Sequence, residues 1–368
     1  MTGRRLFALA IAIAMLAGPA AAQLQLSPQP AAPQPPAKAA PKTAPKAAPK
    51  AAPKPAPKAA PASPPAAKAP PTPVPAPAAA DSGDDSTADL AYGAYQRGHY
   101  LTAFHHATRR ANEEGDVKAM ALLGELYAQG LGVPQSDANA AGWYKLAADR
   151  GDREAMFALG IMRLAGKGGP QNREEGARLL AAAAKLGHAV AAYDLGLLYI
   201  EGNLFPQDLV RATELFRVAA DAGSPEAQYA LATFYKEGRA VPKDARMAAQ
   251  LLSRAALAGN TDAEIEYAIM LFNGDGVAKD EAGAARLFLK AARKGAPVAQ
   301  NRLARILAFG RGMEADPTEA IKWHTIAKAG GASDLYLDDY AAKQTDDIRK
   351  AAETAAKPWL DRIAATRN

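Results

Sequence analysis

Residues 116–151 read DVKAMALLGELYAQGLGVPQSDANAAGWYKLAADRG, a segment of 36 residues that ends in glycine. Five more segments of the same length follow it without insertion, and each also closes on a glycine. They begin at Asp152, His188, Ser224, Asn260 and Ala296. A fixed period of this length is typical of a solenoid, in which each repeat is one supersecondary unit stacked on the next. We number positions 1 to 36 within each repeat, and repeats 1 to 6 along the chain.

The first half of each repeat carries the pattern of an amphipathic helix. Position 4 is always alanine, and position 9 is glycine in repeats 1 to 3 and alanine in repeats 4 to 6. Position 11 is always large and apolar, as in Leu126 and Phe234. Spacings of three and four residues put these side chains on one stripe of a helix. Because only small residues occur at positions 4 and 9, we expect a second helix to approach closely there.

Stop and start signals then divide each repeat into two helices. Position 15 is glycine in all six repeats, and glycine adopts the left-handed conformation at a helix end without a steric penalty. Position 21 is always serine, asparagine or aspartate, which are good N-cap residues. Small, bulky and small residues follow at positions 25, 28 and 32. One such hairpin cannot cover its own apolar faces, so the sequence predicts an all-α stack of hairpins.

The pattern of repeat 1 resembles that of the Sel1-like repeats, relatives of the tetratricopeptide repeat. It contains Leu-Gly-x-x-Tyr, then Gly-x-Gly-Val, then Ala-x-x-Trp-Tyr-x-x-Ala-Ala-x-x-Gly. The matching residues are Leu123, Gly124, Tyr127, Gly130, Gly132, Val133, Ala140, Trp143, Tyr144, Ala147, Ala148 and Gly151. Later repeats are looser, since Leu204 and Ala240 replace the glycine at position 17. The resemblance covers residues 116–331 and implies a right-handed superhelical α-solenoid, but no particular ligand.

Residues 1–22 have the pattern of a secretory signal peptide. Arg4 and Arg5 precede an apolar stretch from Leu6 to Leu16, and small residues lead to a cleavage site after Ala22. The alternative, a membrane anchor, is disfavoured because 11 apolar residues are too short to span about 30 Å of hydrocarbon as a helix. We therefore expect export of a bacterial protein to the periplasm or beyond.

Residues 23–85 form an Ala/Pro/Lys-rich linker, for which we expect disorder with polyproline II character. Lysines recur every four residues from Lys38 to Lys58. A solvated spacer is one interpretation, and weak contact with anionic membrane or cell wall is the other. Residues 86–115 look like a degenerate N-terminal repeat. Residues 332–368 lose the period and are predicted to be C-terminal capping helices.

The charge distribution argues against nucleic acid as a partner. The chain has a net charge of +6, but residues 1–80 hold nine lysines and arginines and no acidic residue. The remainder therefore carries 35 basic and 38 acidic residues, a net charge of −3. A nucleic-acid groove needs its positive charge on the folded domain, and here that charge lies in the leader and linker.

Sequence motifs for chemistry are scarce. The chain has no cysteine, so it offers no thiolate nucleophile, disulfide or cysteine zinc site. His99, His105 and His106 cluster only in the degenerate repeat, and His324 occupies a position otherwise filled by rings such as Tyr144. We predict no catalytic residues, no metal and no cofactor, and thus a protein that is not an enzyme.

A partner-binding groove is predicted on one face of the first helices. Positions 6, 10 and 13 share a face distinct from the small and large core positions, and by analogy with tetratricopeptide arrays this face lines the concave side. It is apolar in the middle repeats, as interaction sites often are. The alternative is that tight curvature buries these residues against the next repeat. The predicted residues are Phe157, Ile161, Leu164, Tyr193, Leu197, Ile200, Tyr229, Lys236, Ile265, Ile269 and Phe272.

These observations predict an exported, monomeric helical-repeat scaffold or adaptor. It would bind a protein or peptide partner through the groove and regulate or localise a cell-envelope process. One alternative is an enzyme acting on cell-wall material. Another is a passive spacer held at the envelope by its basic linker.

Overall fold

The computed structural model describes residues 90–367. The predicted signal peptide, the linker and the first residues of the degenerate repeat lie outside this range. Within it the chain forms 16 α-helices and a short π-helical turn, and these residues form no strand. The predicted all-α solenoid of helix hairpins is therefore confirmed. None of the described helices is both long and apolar enough to cross a bilayer.

Twelve helices of 13 residues make up the six repeats, two per repeat, between an N-terminal hairpin and two C-terminal helices. Their bounds are α1 Leu90–Gln96, α2 Tyr100–Arg109, α3 Val117–Gln129, α4 Asp137–Asp149, α5 Arg153–Ala165, α6 Arg173–Lys185, α7 Ala189–Glu201, α8 Leu209–Asp221, α9 Pro225–Glu237, α10 Ala245–Leu257, α11 Thr261–Asn273, α12 Glu281–Arg293, α13 Pro297–Phe309, α14 Pro317–Ala329, α15 Leu335–Ala342 and α16 Asp346–Arg367. The π-helical turn, Arg110–Glu114, extends α2.

Helix boundaries follow the predicted caps. Every second helix begins after a position-21 side chain that accepts a hydrogen bond from a backbone N–H three residues on, as Asp208 does from Arg211 at 2.9 Å. Every first helix ends at a position-15 glycine in the left-handed conformation, such as Gly202 with a φ of 71°. Position 1 caps the first helices in repeats 1 to 5. Ala296 has no side-chain cap, and Pro297 starts that helix instead.

The two helices of a repeat pack against each other, and each second helix also packs on the first helix of the next repeat. Position 9 faces position 29 across the hairpin. A Cβ atom added at Gly124 would lie 2.6 Å from the ring of Tyr144, and one added at Gly196 would lie 2.7 Å from the ring of Phe216. The predicted close approach of helices at position 9 is thus confirmed.

The C-terminal end is covered mainly by the last helix. α16 packs against α14, where the rings of Trp359 and Trp323 meet edge to face at 5.2 Å. The shorter α15 makes fewer contacts with the stack and leaves Leu335 86% exposed.

Candidate functional site

The candidate site is one face of the first helices of repeats 2 to 5, namely α5, α7, α9 and α11. Positions 3, 6, 7, 10, 13 and 14 of a helix fall within about a third of its circumference, because each residue advances the helix by about 100°. The small and large core positions lie elsewhere on the same helices. We call this surface the groove face.

The structure divides the predicted groove residues into two groups. Phe157, Ile161, Leu164, Tyr193, Ile200, Tyr229 and Lys236 are half-buried. Four others lie in the core, with exposures of 3–8%: Leu197, Ile265, Ile269 and Phe272. These four cannot serve as an open binding surface, which corrects the prediction for them.

Packing explains the burial of two of these side chains, Leu197 and Phe272. Leu197 belongs to the core cluster that surrounds Phe216. Phe272 is covered by Arg311, whose guanidinium lies 4.5 Å from the ring centroid and is held by Glu281. The accessible part of the groove face is therefore centred on α5, α7 and α9.

Phe157 is held in place by the next repeat. Its ring stacks on His188 with the centroids 4.5 Å apart. His188 caps α7, because its Nδ1 accepts from the backbone N–H of Ala191 at 3.0 Å. Its Nε2 therefore carries the proton and faces Glu154 at 3.1 Å. These contacts fix the position of Phe157 in repeat 2, where the groove face begins.

Tyr193 and Tyr229 form the centre of the groove face. Tyr193 contacts the buried ring of Phe216 at a centroid distance of 5.5 Å. Burial, followed by nearby carboxylates, raises the pKa of each tyrosine to about 12. Within residues 90–367 neither phenol hydroxyl finds a hydrogen-bonding partner. Both hydroxyls reach solvent and are accessible to a bound molecule.

Seven carboxylates share the groove face with these tyrosines, at positions 3, 7 and 14 of helices α5, α7, α9 and α11. They are Glu154, Asp194, Glu201, Glu226, Glu237, Asp262 and Glu266. We did not predict them as site residues, although their spacing of three and four from positions 6, 10 and 13 puts them on the same face. The sequence therefore contained the signal.

Two carboxylates on α7 are poorly compensated. Burial raises the pKa of Asp194 to about 7, and this side chain forms no ion pair or hydrogen bond within the described chain. Glu201 has a buried Oε1 with no hydrogen-bonding partner. A bound molecule could supply the hydrogen-bond donor that each of these carboxylates lacks.

The single cation on the groove face of repeats 2 to 5 is Lys236, which pairs with Glu266. In repeat 6, the equivalent face is covered by residues that follow the last repeat. Asp334 accepts two hydrogen bonds from Arg305, at 2.6 and 2.9 Å, and one from Asn301 at 3.1 Å. Tyr336 lies over the same arginine at 5.7 Å. The open groove face thus ends at repeat 5.

Other features of the described chain do not assemble a catalytic site. A cleft of 1160 Å³ between α10 and the loop after α11 mixes Asp244, Arg246 and Arg254, and Arg254 donates to the carbonyl oxygen of Ala220. His324 is buried beside Asp338 at 2.9 Å. Residues 90–367 contain no cluster of three metal-ligating side chains.

Comparison with known proteins identifies the repeat. The family model described as "Sel1 repeat" matches residues 117–152, 153–188, 189–224, 225–260, 261–295 and 297–331. The chain is similar to a Sel1 repeat protein from Oxalobacter formigenes, with 28% identity and a TM-score of 0.54 over 66% of this chain and 97% of that chain. It is also similar to a protective antigen of uropathogenic Escherichia coli that displays an SLR fold. That match has 26% identity and a TM-score of 0.51 over 75% of this chain and 68% of that chain. No curated protein matches the sequence.

Proposed function

Because the chain belongs to the Sel1 repeat family, which is generally a protein-interaction scaffold, we propose that it is an adaptor that binds a protein or peptide partner through its groove face. The observation that carries this proposal is the row of half-buried aromatic rings at position 6, formed by Phe157, Tyr193 and Tyr229. Aromatic side chains that are partly exposed on a rigid scaffold commonly anchor binding partners.

The proposal extends to location and process. Arg4, Arg5 and the apolar stretch after them support export, with cleavage after Ala22. The adaptor would then act in the periplasm as a monomer and regulate or localise an envelope process. N-terminal sequencing of the protein recovered from a periplasmic fraction tests this. A chain that starts at Gln23 supports export, and an intact chain confined to the cytoplasm contradicts it.

Site-directed photo-crosslinking tests the binding surface. A photo-reactive amino acid at Tyr193 should give a discrete crosslinked partner in cells. The control carries the same group at Leu257, which is 84% exposed on a second helix. Equal products from both positions, or none from Tyr193, would contradict binding by the groove face.

Two further outcomes would replace this function with its alternatives. Turnover of peptidoglycan fragments by the purified protein would indicate an enzyme. Envelope association that survives deletion of the repeats would indicate a passive spacer.

A further inference from the structure

We propose that the groove face of repeats 2 to 5 binds a peptide segment rich in lysine or arginine. This inference rests on the proposed function and specifies the chemistry of the partner. It combines the half-buried aromatic row with the sign of the charge that surrounds it.

The first step is the charge balance of the surface. Seven carboxylates and one lysine occupy the groove face of these repeats, and the lysine is already paired with Glu266. Glu154 faces His188, and Glu237 lies 3.4 Å from Arg239. After these pairings, Asp194, Glu201, Glu226 and Asp262 remain without a cationic partner in the described chain. The surface is therefore strongly negative, although residues 81–368 as a whole are nearly balanced.

The second step is the chemistry of the polar groups that have no hydrogen-bonding partner within the described chain. The phenol oxygens of Tyr193 and Tyr229 and the buried Oε1 of Glu201 can all accept hydrogen bonds. An ammonium or guanidinium group brings three or five donors and no acceptor. Such a cation is also attracted to the face of a tyrosine ring. A lysine or arginine side chain can thus contact the aromatic rings, donate to the acceptor oxygens and compensate the negative charge.

The third step concerns other occupants. A nucleic acid or an acidic peptide would place like charges against these carboxylates, and like-charge contacts suppress binding. A purely apolar segment would bury Asp194 and Glu201 further without supplying donors. Arg305, which could have attracted an acidic residue beyond repeat 5, is occupied by Asp334. The observations therefore favour a basic peptide.

The test is selection from a phage-displayed library of random 12-residue peptides on the full chain. Peptides are retained only if they fail to bind the variant Glu226→Lys/Asp262→Lys, in which two exposed groove carboxylates are reversed. The matched control is Glu214→Lys/Asp221→Lys, which makes the same charge change at exposed sites on the second helix α8. Circular dichroism checks that all three proteins remain folded.

We expect the retained peptides to be enriched in lysine and arginine. A synthetic representative should lose about 10-fold or more in affinity on the groove variant, change less than about 2-fold on the control, and weaken as salt is raised. Retained peptides that are acidic or uncharged would overturn the inference but leave groove binding intact. Failure to retain any peptide that distinguishes the groove variant would count against both the inference and the proposed function.

Discussion

The substitution Gly196→Ala tests the packing of the solenoid at one of its tight helix contacts. Gly196 occupies position 9 of repeat 3, within α7. The added Cβ atom would lie 2.7 Å from Cε1 of Phe216 and 3.0 Å from Cδ1. That ring has 0% exposure and contacts Tyr193 on one side and Phe234 on the other. It cannot turn aside without disturbing a neighbour, so the two helices must separate.

Two opposing terms set the size of the effect. Overpacking of a core by a methyl group costs about 1–3 kcal/mol. Replacing glycine by alanine inside a helix returns about 1 kcal/mol. The net loss should therefore be about 0–2 kcal/mol. The overpacking cost should lie in the lower part of its range. Repeat 5 accommodates Ala268 and Phe288 at positions 9 and 29, and both side chains are fully buried.

A double-mutant cycle measured by urea denaturation isolates the steric term. Phe216→Leu alone should destabilise the protein by leaving a cavity. Combined with Gly196→Ala, it recreates the pair Ala232 and Leu252 of repeat 4, so the double variant should be more stable than the sum of the two losses predicts, by about 1 kcal/mol or more. The control Gly93→Ala, whose nearest neighbour is the flexible Arg97, should be neutral or stabilising. If Gly196→Ala stabilises the protein as Gly93→Ala does, or if the cycle shows no coupling, the contact is not tight and the reasoning fails.

Three shorter predictions concern polar groups in the same repeats. Glu264 is fully buried at position 5 of repeat 5 and pairs with Lys290 and Lys294. Glu264→Gln should change the free energy of unfolding by less than about 1 kcal/mol, because glutamine occupies the same position in repeats 4 and 6, as Gln228 and Gln300, and donates to a backbone carbonyl there. A loss above about 3 kcal/mol in denaturation would contradict this. His188→Ala should lower the free energy of unfolding by about 0.5–2 kcal/mol, because the N-cap of α7 is lost. His188→Asp should lower it less, since aspartate can cap the helix. Equal losses in the two variants would show that the cap is unimportant. Asp194→Asn should raise the melting temperature above about pH 7 but not near pH 4. Burial holds a proton on the native carboxyl between pH 4 and 7 that the unfolded chain releases, so wild-type stability falls as pH rises through that window; a constant difference across pH would refute this assignment.

Most of the fold could be predicted from the sequence because its determinants are local and periodic. A cap at position 21 and a glycine at position 15 act within a few residues of the helix ends they define. Position 9 could be assigned from residue size alone, since Gly124 and Gly196 leave room only for a neighbouring helix. The path of α15 could not be predicted, because it depends on the long-range ion pair between Asp334 and Arg305 outside the period.

The candidate site was predicted less completely, for a physical reason. Helical periodicity identifies a face but not its depth. Leu197 and Phe272 lie on the predicted face, yet the first joins the Phe216 cluster and the second is covered by Arg311. Selecting apolar positions also excluded the carboxylates beside them. The negative charge of the face lies at positions 3, 7 and 14, between the apolar positions 6, 10 and 13 that define the predicted groove.

The carboxylates of α7 connect stability with the proposed binding. Asp194 is held in a partly desolvated position without a cation, which opposes folding at neutral pH. A lysine or arginine from a partner would compensate that charge, and the ionised form would bind it more tightly than the protonated form. Peptide affinity should thus rise as the pH increases towards about 7, while the stability of the free protein falls between pH 4 and 7. Titration calorimetry with a selected basic peptide measures the first slope, and Asp194→Asn should flatten both. If affinity is independent of pH and unaffected by this substitution, Asp194 takes no part in recognition, and the cation must be held by Glu226, Asp262 and the tyrosine rings alone.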